Sequence, residues 1–79
     1  MITIQSVWFE EGNIFVKMSN DSIIGTPISW YPNLSKGTEL QLKNFEIKGK
    51  GKWLHWAELD EDLSAEGFLA VVSSHMAMH

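Results

Sequence analysis

Ile2, Ile4 and Trp8 share one parity along the opening stretch of the chain, and Thr3 and Gln5 occupy the other. Period two with β-branched and aromatic residues predicts a strand over 2–9 with those three side chains on one face. Glu10, Glu11, Gly12 and Asn13 then predict a turn, because Gly and Asn tolerate positive φ. Ile14, Val16 and Met18 mark one face of a second strand, and residues 19–22 supply another turn. A third strand is expected over 23–28, interrupted by Gly25 and Pro27. Proline cannot donate to a ladder, so that end should lie at an edge or leave the sheet. The three strands make an antiparallel meander.

The pattern changes after Tyr31 and Pro32. Thr38 followed by Gln41 fits a capping box, which predicts a short helix over 38–44 with Leu42 and Phe45 facing inward. A strand is the competing reading, because Leu40, Leu42, Phe45 and Ile47 partly fit period two. Residues 46–56 look extended, with a tight turn in the alternating Gly49, Lys50, Gly51, Lys52. Ser64 is a suitable N-cap for a last helix, and Leu63 and Phe68 occupy the positions of a hydrophobic staple. Asp60, Asp62 and Glu66 are expected around that N-terminus, where the helix dipole favours negative charge. The reading is therefore an α+β fold: a three-stranded antiparallel meander, a short helix, further short strands and a C-terminal helix. One domain covers residues 1–72, and 73–79 form a disordered tail without pattern.

Composition narrows the function. The 79 residues are 44% hydrophobic and include four Trp, four Phe and one Tyr, enough aromatic surface for a dense small core. The absence of cysteine excludes a disulfide framework and thiol chemistry and fits a reducing, cytoplasmic setting. Ten acidic residues against six lysines and no arginine give a net charge of −4, which argues against direct nucleic-acid binding. No apolar run suits a membrane span. Lys43, Lys48, Lys50 and Lys52 precede the acids Glu58, Asp60, Glu61, Asp62 and Glu66, a polarity that can orient a partner or simply be solvated.

The order of features resembles the bacterial family catalogued as domain of unknown function 2442. The resemblance rests on the meander with its Asn20-Asp21 turn, the segment from Trp30 to Leu34, the Thr38-capped helix, and the closing run from His55 to Ser64 continuing into Glu66-Gly67-Phe68-Leu69. Ala57 stands where the family usually has Pro, and Asn20-Asp21-Ser22 replaces its Asp-Gly turn. Members occur alone or fused to a helix-turn-helix domain, often with genes beside a second small protein in a toxin–antitoxin-like arrangement. The resemblance thus implies an antitoxin-like or regulatory role, and it supplies no established catalytic residues to carry over.

Individual chemistries fare poorly. Asp60, Asp62 and Ser64 mimic the opening of a calcium loop, but its sixth and twelfth positions are Ala65 and Val71 instead of Gly and Glu. His55 with Glu58 and nearby carboxylates is a thin metal site, and a His between two tryptophans is more often a packed residue. No phosphate-cradling loop or Ser-His-acid set is visible. Trp8 and Trp53 are assigned to the core; Trp30, Tyr31 and Trp56 lie beside turns or charges, where aromatic rings form interface hot spots.

The expectation is a non-enzymatic protein-binding module that needs no cofactor or metal and touches neither membrane nor nucleic acid. Its partner is another small, basic bacterial or phage protein encoded nearby. Trp30, Tyr31, His55 and Trp56 would form the face, with Glu58, Asp60, Glu61 and Asp62 steering association. An acidic mimic of nucleic acid that inhibits a DNA-binding or defence protein is the alternative, and a small metal-dependent enzyme using His55 is a third reading. An open strand edge also leaves homodimerisation in view.

Overall fold

The computed structural model describes the backbone of residues 1–77 and the side chains of residues 1–72. Its first half is the expected meander, with strands β1 (Ile4–Glu10), β2 (Asn13–Met18) and β3 (Ile23–Pro27) paired antiparallel in that order. Glu11 and Gly12 both have positive φ, the geometry of a two-residue hairpin whose twist matches its strands. In the next turn, Asn20 Oδ1 accepts from the Ser22 amide at 3.1 Å, while Asp21 adopts the left-handed conformation.

One expectation about this sheet is overturned. Ile4 pairs with Met18 but Ser6 pairs with Lys17, so Gln5 is an extra residue in β1. Such a bulge reverses the parity of everything after it. Val7 and Phe9 therefore join Ile4 on the core side, and Trp8 turns to the outer face. There it stacks on its cross-strand partner Phe15, with ring centroids 5.7 Å apart. Phe15 in turn lies over Gly25 of β3, where an added Cβ would sit 2.5 Å from the ring.

The chain leaves β3 at Pro27 through a single 3₁₀ turn, Ile28–Trp30, and a one-turn helix α1 (Pro32–Ser35). Helix α2 (Glu39–Lys43) begins with the anticipated capping box: Thr38 Oγ1 accepts from the Gln41 amide at 3.2 Å, and Gln41 Oε1 accepts from the Thr38 amide at 3.0 Å. A second antiparallel sheet follows, ordered β4 (Glu46–Lys48), β5 (Trp53–Trp56) and β6 (Glu61–Ser64). The acidic stretch was expected to lead straight into the last helix, yet its second half is strand β6. A four-residue turn over 57–60, with Asp60 at φ 52°, folds it back on β5. Helix α3 (Ala65–Ala77) starts immediately, capped by Ser64 Oγ accepting from the Gly67 amide at 2.9 Å.

Helical backbone continues through 73–77, assigned from sequence to a disordered tail; no Gly or Pro after Gly67 interrupts it. Residues 78–79 of that expected tail lie outside the described residues.

The core joins both sheets. Ile4, Ile14, Val16, Met18 and Ile24 from the first meet Leu34, Leu54, Trp56, Ala65 and Phe68. Phe45, just past α2, links Phe9 at 6.3 Å to Trp56 at 6.1 Å between ring centroids. The buried Thr26 hydroxyl shares a 2.9 Å hydrogen bond with the Tyr31 hydroxyl. At the hairpin between β4 and β5, Gly49, Lys50 and Gly51 all have positive φ. Gly51 is buried against β1: its carbonyl accepts from the Ile4 amide at 2.7 Å, and a Cβ there would fall 2.9 Å from the Ile4 carbonyl oxygen. The neighbouring Lys52 carbonyl accepts from the Ala65 amide at 2.9 Å.

Candidate functional site: an aromatic groove

Strand β5 decides which tryptophans reach solvent. Alternation places Leu54 and Trp56 inward and Trp53 and His55 outward. Trp56 is accordingly fully buried, and its Nε1–H donates to the Leu42 carbonyl at 2.8 Å. Trp53 is 48% exposed. This reverses the sequence assignment of both residues. The apolar Leu54 between them was the available signal, because whatever shares its parity goes to the core.

Trp30, at the end of the 3₁₀ turn, is 52% exposed, as anticipated for a surface aromatic. Trp30 and Trp53 line one open groove of about 360 Å³, together with Tyr31, Asp62, Ser64 and Val71. The Tyr31 ring is held by its hydroxyl bond to Thr26, and Ser64 by its capping bond to α3. Trp is among the residues most buried on average, so two half-exposed indoles on one groove are an informative departure. Trp53 also borders a smaller depression of about 160 Å³ shared with Ile2, Lys52 and Glu66.

His55 and Asp62 are direct cross-strand partners on the outer face, and Glu46 stands opposite His55 on its other side. The His55 Nδ1–H donates to Asp62 Oδ1 at 2.5 Å. The bond fixes where the carboxylate sits while leaving Asp62 59% exposed. Among the described residues lining the groove, Asp62 is the single charged one.

The other expected acidic residues scatter. Glu58 accepts from Gln41 at 3.2 Å and from Asn44 at 3.1 Å, tying the 57–60 turn to α2. Asp60 occupies the left-handed position of that turn, and its carbonyl accepts from Asn33 Nδ2 at 3.1 Å. Glu61 pairs in register with Trp56, and its carboxylate accepts from the Asp62 amide at 3.1 Å. The segment therefore does not present one row of free carboxylates. Of the eight residues singled out from sequence, the fold gathers Trp30, Tyr31 and Asp62 on the groove and sets His55 behind Asp62. Trp53 is the groove residue that sequence reasoning missed.

The lysines are divided as well. Lys43 pairs with Glu39 at 3.2 Å and Lys48 with Glu46 at 3.9 Å, both exposed pairs of small energetic weight. No group of three or more His, Asp or Glu suited to a metal ion occurs among the described residues. No helix among them is long and apolar enough to cross a membrane.

Comparison with known proteins agrees with this architecture. A family model described as "Protein of unknown function (DUF2442)" matches residues 4–72. No curated protein matches the chain. A crystal structure of a protein of unknown function from Rhodospirillum rubrum is similar, with a TM-score of 0.76 and 27% identity over 90% of this chain and 88% of that one.

Proposed function

This chain belongs to the DUF2442 family of proteins of unknown function, and we propose that it acts as a non-enzymatic protein-binding module, an antitoxin-like or regulatory partner of another small bacterial or phage protein. The observation that carries the reading is the pair of half-exposed tryptophans, Trp30 and Trp53, on one groove. Leaving two indoles half in water forgoes burial of roughly 25 cal/mol for each Å² of apolar surface. A binding surface recovers that loss when a partner covers it, which is why Trp is enriched among interface hot spots. The Asp62 carboxylate on the groove and the net charge of −4 favour a basic partner.

The test is capture from the native host extract with tagged protein, beside a Trp30→Ala, Trp53→Ala double variant. A specific protein held by the wild type and lost by the variant is the expected result. A partner retained equally by both would remove the groove from the interaction. Failure to capture any protein would count against the module itself.

A further inference from the structure

We infer that the groove between the 3₁₀ turn and strand β5 receives an arginine side chain of the partner protein, its guanidinium lying against Trp30 and Trp53 with Asp62 accepting its N–H groups. The inference rests on the protein-binding reading above and adds the chemistry of the residue recognised.

Three features converge on it. The groove is lined by two indoles and the Tyr31 ring. Aromatic faces carry negative quadrupole charge and attract cations, with Trp the strongest. The single charge among the described lining residues is the Asp62 carboxylate. His55 holds that carboxylate through Oδ1, so it is positioned before any ligand arrives. Finally, no lysine or arginine is among the described residues lining the groove, so the cation its aromatic rings and carboxylate favour comes from a ligand.

Arginine suits this combination better than lysine. Its guanidinium is planar, so it can stack on an indole while its edge donates to a carboxylate. It is also more weakly hydrated than an ammonium, which lowers the cost of leaving water.

The test titrates ¹⁵N-labelled wild-type protein with a capped arginine tripeptide and, separately, with its citrulline and lysine counterparts. Citrulline keeps the shape and loses the charge. Saturable shifts are expected for the Trp30 and Trp53 indole N–H signals and the Asp62 amide. The Trp56 indole, bonded inside the core, should stay in place and report an intact fold in every sample. The citrulline peptide should bind about tenfold more weakly, and the lysine peptide and the Asp62→Asn variant about fivefold more weakly. Equal response to arginine and citrulline, equal affinity for arginine and lysine, unchanged affinity in Asp62→Asn, or no saturable shift would each overturn the inference. The wild-type arms decide this without any substitution. If they fail while the double-tryptophan variant still loses its captured protein, the docking face stands and the arginine assignment falls.

Discussion

Trp53 and Trp56 lie three residues apart on one short strand, and replacing each with alanine should have opposite consequences. Trp56 is fully buried and donates to the Leu42 carbonyl. Its removal strips out the largest side chain of the core and leaves a cavity between the two sheets, a change that costs about 3–5 kcal/mol. The lost hydrogen bond adds about 0.5–1.5 kcal/mol. A chain of 79 residues has a total stability on the order of 4–12 kcal/mol, so Trp56→Ala should bring the fold close to its limit. Trp53 is 48% exposed, and water refills the space its ring leaves. About half the apolar contact is lost and no closed cavity forms, for a cost of about 1–2 kcal/mol. Urea unfolding followed by far-UV circular dichroism separates the cases: a large fall in midpoint for Trp56→Ala, a small one for Trp53→Ala, and the same slope in both. Partner capture should reverse the ranking, with Trp53→Ala the more damaging per unit of stability lost. Equal destabilisation by the two substitutions would refute the assignment of inner and outer faces on β5.

Tyr31→Phe should destabilise by about 1–3 kcal/mol, because the buried Thr26 hydroxyl loses its partner, and adding Thr26→Val should recover much of that loss in thermal melts. Gly51→Ala should cost more than about 1 kcal/mol, given φ +92° and a Cβ pressed against the Ile4 carbonyl. Hydrogen exchange at the Ile4 amide should then accelerate well beyond that of amides in the middle of β2. Ser64→Ala should lower stability by about 1 kcal/mol through loss of the α3 cap, seen as a reduced melting temperature with native circular dichroism retained below it.

Much of the fold could be read from local chemistry. The meander, the capping box at Thr38 and Gln41, the glycine turn at 49–52 and the Ser64 cap each depend on residues close in sequence, so their signals survive without knowledge of the whole. The misassigned features depend on pairing. The bulge at Gln5 has no marker of its own, since nothing about a glutamine announces that its strand has slipped by one. Strand β6 is acidic and short, and becomes a strand because the left-handed Asp60 directs it back along β5. The candidate site was partly visible: Trp30, Tyr31 and Asp62 meet on the groove, but the charges flanking Trp56 mask the strand parity that buries it with Leu54 and turns Trp53 outward.

The hairpin at 49–52 has a kinetic consequence. Its Gly51 carbonyl binds the start of β1, and the adjacent Lys52 carbonyl binds the first residue of α3. Two segments from opposite ends of the chain therefore converge on one turn, and the first sheet cannot complete its anchoring until the second hairpin has closed. Strand pairing within each sheet runs only between neighbours in sequence, so the local hairpins can close early, and the Ile4–Gly51 junction, which spans most of the chain, closes late. Equilibrium unfolding should then be a single transition, with the two sheets lost together instead of the N-terminal meander outlasting its companion.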